Sequence, residues 1–164
     1  IVVHGRLLEG RNGIAGEWGH NPLPAARPGE WPGHPCYCGR SGCIETFLSG
    51  PGLARDYHAE GGEAVDAAAI ALRAEDGEAL AAMVIERYEE RLARALASVI
   101  NVIDPGAIVL GGGLSNVKRL YANVPQRWSA HVFSDRVDTA LLPPRHGDSS
   151  GVRGAAWLWR VDEL

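Results

Sequence analysis

The sequence predicts an α/β fold with a turn-rich, cysteine-containing loop near its beginning. Hydrophobic residues make up 46% of the 164 positions and charged residues 22%, a balance typical of a chain that folds around a packed core. Segments with helical periodicity alternate with short apolar runs along the second half of the chain, which indicates layers of helix and sheet. All three cysteines fall within residues 16–46, where Pro and Gly are frequent, so this region needs its own source of order.

The first two elements are predicted to be short strands, IVVH and RLLE, joined by a turn at His4-Gly5. They resemble the second half of a hairpin that is already under way at Ile1, so we expect further residues upstream. Residues 10–44 combine turn-forming residues with low helix and strand propensity. Something other than a hydrophobic core must therefore order that stretch.

Three helices are predicted in the middle of the chain. The first begins near Ile44 and restarts after residues 49–51, and the second is the Ala-rich segment EAVDAAAIALRAED. The third covers residues 77–101, where apolar residues recur at every third or fourth position and form a buried face. On its other side Glu90 and Arg94 are spaced for a favourable i,i+4 ion pair. We expect the charges of that side to face solvent.

The remaining elements alternate strand and helix. A turn at residues 104–106 ends the long helix, and the apolar run AIVL is expected to be a strand covered on both faces. The three glycines at 111–113 lead into a helix from about residue 115 to 131, and VDTALLP is the next strand. The segment HGDSSGVRGAAWLWR is predicted to form the last helix. Its N-cap candidates are Asp148, Ser149 and Ser150.

Charge and hydropathy narrow the class of protein. The net charge is −4 and the pI is about 5.9, so the chain offers no general attraction to nucleic acid or to anionic lipid. No apolar run reaches the ~18 residues that a membrane-spanning helix needs, and the first residues lack the features of a signal peptide. An odd number of cysteines fits a metal site in a reducing compartment better than a set of disulfides. We therefore expect a cytoplasmic protein.

A structural zinc site is predicted from the cysteine cluster. His20, Cys36, Cys38 and Cys43 offer one imidazole and three thiolates, with the spacing H-x15-C-x-C-x4-C. Four protein ligands fill a tetrahedral zinc ion and leave no open position, which is typical of a structural rather than a catalytic site. Such an ion would order a loop that buries too little apolar surface to order itself. His34, two residues before Cys36, is the rival fourth ligand.

Two glutamates bracket this cluster. Glu17 precedes His20 by three residues, and Glu45 follows Cys43 by two. Surface glutamates are commonly just solvated, but a bound metal would hold these two carboxylates rigidly near each other. Fixed carboxylates and an imidazole on a glycine-rich surface suit hydrogen bonding to the several hydroxyl groups of a sugar.

The motifs of this region resemble the signature of the ROK family of repressors and sugar kinases, in NGIAGEWGH followed by CYCGRSGCIE. The flanking segments AIVLGGGLSNV and HGDSSGVRGAAWLW are similar to those of bacterial fructokinases of the manno(fructo)kinase type within that family. The resemblance covers essentially the whole chain. It implies an actin-like ATPase (ribonuclease H-like) fold with two α/β domains and a cleft between them. Residues 1–164 would be the C-terminal portion of such a protein.

The resemblance also implies roles for individual residues of the loop at 16–46. Glu17 and Glu45 would contact sugar hydroxyls, and His20 would both bind zinc and approach the sugar. The zinc ligands that carry over are His20, Cys36, Cys38 and Cys43, which agrees with the interpretation from spacing.

The nucleotide would lie on the α/β layer formed by residues 77–164. Gly111, Gly112 and Gly113 match the glycine motif on the adenosine side of ATP, where absent side chains let the backbone approach the ligand. The family's catalytic aspartate and its phosphate loop match nothing in this sequence. Both are expected upstream of Ile1, together with the Mg²⁺ that phosphoryl transfer needs. This segment alone is therefore expected to be inactive.

The expected function of the intact protein is ATP-dependent phosphorylation of a hexose, with fructose 6-phosphate from fructose as the expected product. The alternatives are a sugar-responsive transcriptional repressor of the same family, which would carry an upstream helix-turn-helix, and a zinc-stabilised binding module. The glycine-rich VLGGGLSN favours the kinase, because a repressor has less need of a nucleotide pocket. The resemblance suggests a homodimer. Which hexose is preferred stays open, since fructose, mannose and glucose differ at only a few hydroxyl positions.

Overall fold

A computed structural model describes residues 1–156 of the chain. It begins with a small antiparallel hairpin of β1 (Val2–Val3) and β2 (Arg6–Leu7), in the register that pairs Val2 with Leu7. His4 and Gly5 both adopt positive φ at its turn, as a two-residue hairpin requires. The predicted hairpin and its turn are confirmed.

Four helices follow the cysteine-containing loop. They are α1 (Ile44–Phe47), α2 (Gly50–Ala59), α3 (Ala67–Glu75) and α4 (Ala79–Ile103). The short first helix ends at Phe47 with Leu48 as its C-cap, and Ser49 caps the second helix, since its side chain accepts a hydrogen bond from the Gly52 N–H at 3.1 Å. Asp66 caps α3 in the same way through the Ala69 N–H at 2.8 Å. The predicted restart of the helix is confirmed, but it begins at Gly50, within residues 49–51 rather than after them.

The long helix α4 is the centre of the hydrophobic core. Its apolar side packs against α2, α3 and a later helix, α5 (Arg119–Trp128), and the left-handed Asp104 ends it as predicted. Removing such side chains from water stabilises the fold by about 1.5–3 kcal/mol each. The largest fully buried members of this core are Trp128, Tyr57, Leu53, Ile70, Ile85 and Leu120.

Much of the polar side of α4 is also buried, so the prediction that its charges face solvent is wrong for Glu89, Arg91 and Arg94, whereas Glu86 is exposed as predicted. Glu89, Arg91 and Arg94 are only 0%, 7% and 3% exposed. The cause is that two other segments cover this side of the helix: the loop around Glu30, and α5 with its Arg119. Each buried charge is paired with a partner from those segments, which is how charge is tolerated away from water.

The C-terminal part contains a two-stranded parallel sheet. β3 (Ala107–Val109) pairs with β4 (Ala140–Leu142), with Ile108 opposite Leu141. Ile108 packs on the helical core, but Val109 is 59% exposed, so the expectation that this strand is covered on both faces is wrong for the described residues. The reason is that the helices of residues 1–156 lie against one face of this small sheet.

The helix predicted at about 115–131 is shorter and interrupted. A 3₁₀ turn at Gly113–Asn116 precedes α5 (Arg119–Trp128), because Val117 is extended between them. The last helix, α6 (Ser150–Ala156), begins among the predicted cap residues. Its predicted continuation through residues 157–160 lies outside the described residues. Within residues 1–156, every helix is too short or too polar to cross a membrane.

Candidate functional site

The segment that carries Glu17 and His20 is fixed by backbone hydrogen bonds to the start of α1. The Leu23 N–H donates to the Gly42 carbonyl at 3.0 Å, the Ile44 N–H to Asn21 at 2.8 Å, and the Glu45 N–H to Gly19 at 2.9 Å. Below this ladder, Leu23, Ile44 and Phe47 are buried against Ala95 of α4. The loop therefore lies on the core through a small apolar base, and its functional side chains stand above that base.

The cysteines are brought together by a tight turn. The Cys36 N–H donates to the Arg40 carbonyl at 2.7 Å, and the Gly39 N–H donates back to Cys36 at 3.0 Å. Gly39 has a φ of 85° and Gly42 a φ of 72°, the left-handed region that favours glycine. A Cβ on Gly42 would also lie 2.8 Å from the Pro32 carbonyl oxygen. The glycines between the thiols are thus a steric requirement of this turn.

The four predicted ligands form one cluster. One donor atom each from His20, Cys36, Cys38 and Cys43 lies within 4.8 Å of the others. The Cys38 and Cys43 sulfurs are 3.6 Å apart, and His20 Nδ1 is 3.5 Å from Cys36 Sγ. A tetrahedral zinc ion with Zn–S distances of ~2.3 Å separates its ligands by about 3.8 Å. The donor set and its spacing therefore fit zinc.

The rival ligand His34 lies elsewhere. Its ring packs against Phe47 with centroids 5.6 Å apart, and it is not a member of the four-residue cluster. Burial, with the neighbouring Arg55 and Arg91 guanidinium groups, lowers the pKa of His34. A neutral imidazole against an aromatic ring is a packing residue.

The thiols differ in how readily they ionise. A hydrogen bond from the Arg40 backbone, with a further one from its guanidinium, lowers the pKa of Cys38 to about 6. Burial raises the pKa of Cys43 to about 11, and the neighbouring Cys38 adds to this. A metal ion deprotonates the thiols that coordinate it, so a cation here would bind the exposed Cys38 thiolate and hold Cys43 ionised despite its burial.

The two glutamates flank His20 at the surface. Glu45 Oε2 is 3.5 Å from His20 Nε2, the ring nitrogen that faces away from the thiols. A Cβ built on Gly19 would lie 3.3 Å from Glu17 Oε1 and 3.7 Å from Glu45 Cβ, so both side chains border this glycine. The structure thus brings Glu17, His20 and Glu45 together, as acceptors and a donor that hydroxyl groups can satisfy.

Tyr37 joins this cluster, although the sequence interpretation did not include it. Its hydroxyl lies 2.8 Å from His20 Nε2, and the two rings meet edge to face with centroids 4.9 Å apart. Partial desolvation and the Glu45 carboxylate raise the pKa of Tyr37. Its place between two ligands in Cys-Tyr-Cys was the signal that could have identified it.

A buried network of charges, also missed, fixes the rear of the loop. Glu30 accepts hydrogen bonds from Arg91 Nε at 2.8 Å and from Arg94 Nη2 at 2.8 and 2.9 Å. Arg94 Nη1 also donates to the carbonyls of Pro24 and Ala25, both at 2.8 Å. Two arginines of α4 thereby hold residues 24–30, which continue directly from the segment with Glu17 and His20.

A cleft of about 1150 Å³ lies beside the loop. Gly111, Gly112 and Gly113 line one side of it, and no atom lies within 4 Å of the position a Cβ would take on any of them. Gly16 and Trp18 of the loop line it as well. The cleft therefore connects the glycine turn with the segment that bears Glu17.

A curated relative matches nearly the whole chain. An N-acetyl-D-glucosamine kinase from Pectobacterium carotovorum is 39% identical over 166 residues, which cover 99% of this chain and 55% of that protein. The chain thus spans about half the length of the curated relatives it matches.

Solved structures share the fold. A ROK family glucokinase from Streptomyces griseus, in complex with glucose and AMPPNP, superposes with a TM-score of 0.81 at 24% identity, over 94% of this chain and 54% of that one. A ROK family transcriptional regulator, homologous to the Escherichia coli MLC protein, has a TM-score of 0.70 at 30% identity, over 85% and 37%. The sequence profile of the ROK family matches residues 1–162, and the chain therefore belongs to the ROK family and has its actin-like sugar kinase fold.

Proposed function

We propose that the intact protein is an ATP-dependent sugar kinase and that its substrate is N-acetylglucosamine. The observation that carries this proposal is the cluster of Glu17, His20 and Glu45 on a loop beside a glycine-lined cleft. A sugar and a nucleotide would then bind next to each other. That arrangement is what transfer of a phosphoryl group between them requires.

The sugar contacts follow from the chemistry of the cluster. Carboxylates accept hydrogen bonds only, so Glu17 and Glu45 would each accept from sugar hydroxyl groups. His20 Nε2 points to the same side and, with Nδ1 on the metal, would carry the proton and donate it. Several acceptors fixed on rigid backbone select a polyhydroxylated ligand over a simple alcohol.

The choice of N-acetylglucosamine replaces the expectation of fructose. The motifs resemble those of fructokinases, but the relatives found at 37–40% identity are N-acetyl-D-glucosamine kinases. Both sugars present several hydroxyl groups, so the cluster supports the class of substrate. The names of the relatives support the particular sugar.

Zinc would have a structural role in this protein. His20, Cys36, Cys38 and Cys43 would hold it, and four protein ligands leave no position for a substrate. The ion would supply the order that a loop rich in Pro and Gly lacks. Its effect on the sugar would be indirect, through the positions of Glu17 and Glu45.

The nucleotide would occupy the cleft at Gly111, Gly112 and Gly113, on its adenosine side. Without side chains, these residues allow the backbone to approach the ligand closely. The carboxylate base, the phosphate loop and the Mg²⁺ contacts are proposed to come from the part of the protein that precedes this chain. Residues 1–164 would form the C-terminal portion, with a homodimer as the proposed assembly.

A sugar-responsive regulator is the second candidate, because a ROK family transcriptional regulator shares the fold at 30% identity. It is the weaker candidate, since the glycine-lined cleft suits a nucleotide that a regulator does not need. A regulator would bind the sugar without consuming ATP.

The test uses the product of the whole open reading frame. ADP release is measured with N-acetylglucosamine, fructose, glucose and mannose, and the highest kcat/KM is expected for N-acetylglucosamine. Glu17→Ala and Glu45→Ala should each raise the KM for sugar at least ~10-fold with zinc content unchanged. The control Glu9→Ala removes an exposed carboxylate of the hairpin region and should change neither.

Two results would count against the proposal. A higher kcat/KM for fructose than for N-acetylglucosamine would support the original expectation that the protein is a fructokinase. Sugar binding with no ADP release from any hexose would favour the regulator.

A further inference from the structure

Tyr37 is placed in an unusual way for a large aromatic residue. It is 83% exposed, at the tip of the turn between two zinc-ligand positions, so core packing does not explain it. Its hydroxyl nevertheless makes a short contact, 2.8 Å, with His20 Nε2. An exposed aromatic ring that is directed at the free nitrogen of a ligand histidine has a specific partner.

The contact defines which nitrogen of His20 faces the metal position. Nδ1 lies 3.5 Å from Cys36 Sγ, and Nε2 lies on the opposite side of the ring, against Tyr37. A histidine that binds a metal through Nδ1 carries its proton on Nε2 and donates it to an outer partner. Tyr37 at 2.8 Å is a better placed acceptor than Glu45 at 3.5 Å.

We propose that Tyr37 is a positioning residue for His20: its hydroxyl holds the imidazole so that Nδ1 faces the three thiolates and Nε2 faces the sugar site beside Glu45. The edge-to-face contact of the two rings fixes the same orientation. The part of this inference that concerns the sugar rests on the proposed function. The part that concerns the metal rests on the four-residue cluster alone.

Tyr37 would thereby support both roles of the His20 side chain, which are to bind the metal and to contact the sugar. Outer partners of this kind commonly change metal affinity by ~10–100-fold when they are removed. They also fix the ring against rotation, so the same hydroxyl would keep Nε2 on the side of the sugar site, where its single proton would be shared between Tyr37 and a sugar hydroxyl. Glu45 remains as a poorer partner, so the lower end of that range is expected.

The experiment compares Tyr37→Phe with the wild type in the whole protein. This variant keeps the ring and removes only the hydroxyl, at a position too exposed for its folding to depend on it. Zinc affinity is measured by competition with a chelator, and the Nε2–H resonance of His20 is followed by NMR in the zinc-loaded protein. We expect about 10-fold weaker zinc binding and a shifted or fast-exchanging Nε2–H signal. Sugar affinity without ATP should fall as well.

The matched control is Trp31→Phe, which alters an aromatic residue of the same loop that is 79% exposed. It should leave zinc affinity and the His20 signal unchanged. Equal zinc affinity and an unchanged Nε2–H signal in Tyr37→Phe would overturn the inference. If Tyr37→Phe weakens zinc binding while the wild type phosphorylates no hexose, the positioning role stands and the proposed kinase function fails.

Discussion

Glu30 and Arg94 form a buried ion pair between the loop at residues 16–46 and helix α4. Arg94 Nη2 lies 2.8 and 2.9 Å from the two carboxylate oxygens of Glu30. Their side chains are 6% and 2% exposed. The Arg27 N–H donates to the same carboxylate at 2.7 Å, and Arg91 donates at 2.8 Å. One carboxylate thus accepts hydrogen bonds from two guanidinium groups of α4 and from the backbone of its own loop.

Removing this carboxylate should destabilise the protein strongly. Glu30→Ala leaves two buried arginines without their main partner, and breaking a buried pair from one side costs about 3–5 kcal/mol. The free energy of unfolding from urea titration is the measurement.

The control for that variant is Glu63→Ala. Glu63 also pairs with an arginine, Arg73, but its side chain is 76% exposed, and exposed pairs contribute little to stability. An equal effect of the two substitutions would show that burial does not determine the contribution of the Glu30 pair.

The same carboxylate should make stability depend on pH. Burial raises the pKa of Glu30, but the hydrogen bonds from Arg94, the Arg27 backbone and Arg91 outweigh it, so its pKa is lowered from 4.5. A carboxyl group with a lowered folded-state pKa binds its proton more readily when unfolded. Its contribution is therefore complete above the unfolded pKa near 4.5 and is lost as the pH falls through the lower folded value.

The expected outcome is a difference in unfolding free energy between wild type and Glu30→Gln that is constant from about pH 5.5 to 7. It should shrink as the pH falls below 4.5, because the unfolded wild type then takes up a proton that the folded state binds only at lower pH. Urea titrations at pH 3.5, 4.5, 5.5 and 7 measure it. A difference that grows on acidification would contradict the assigned direction of the shift.

The metal cluster and the arginine network differ in how far the sequence could predict them. His20 and the three cysteines could be identified because ligand chemistry restricts a metal site to few residue types at short spacings. Glu30 and Arg94 are 64 residues apart and belong to the commonest surface types, so nothing local marks them as partners. The helices were predictable from the periodicity of their apolar residues, and the end of α4 from the turn at residues 104–106.

The exposed face of β3 was mispredicted for a related reason. The run AIVL carries apolar side chains on both faces, and that pattern describes what the strand can be buried against. It does not say which segment covers each face. Among residues 1–156, only the Ile108 side is covered.

Loss of one thiolate should release zinc and loosen the loop. Cys38→Ser replaces a ligand whose low pKa, about 6, favours the metal-binding form with a hydroxyl that stays protonated. We expect less than one zinc per ten chains by elemental analysis at micromolar free zinc. Hydrogen exchange should accelerate across residues 16–46 while α4 stays protected.

The control Ser41→Ala changes a neighbouring loop residue that donates no ligand and should keep its zinc. Full zinc content in Cys38→Ser would remove Cys38 from the site. Zinc loss without faster exchange in residues 16–46 would show that the ion does not order the loop.

A side chain at Gly112 should separate backbone strain from nucleotide binding. Gly112 has a φ of 74° and a ψ of −180°, a backbone region that is essentially restricted to glycine and costs an L-residue about 1–3 kcal/mol, and it lines the cleft. Gly77 has a φ of 90° in the turn before α4 and does not line the cleft. Gly112→Ala and Gly77→Ala should therefore both lower the unfolding free energy, by about 1–3 kcal/mol. Only Gly112→Ala should weaken nucleotide binding, by about 10-fold, because its methyl group would project toward the ligand. Calorimetric titration with a non-hydrolysable ATP analogue measures this, and equal nucleotide affinity in both variants would exclude Gly112 from the nucleotide site.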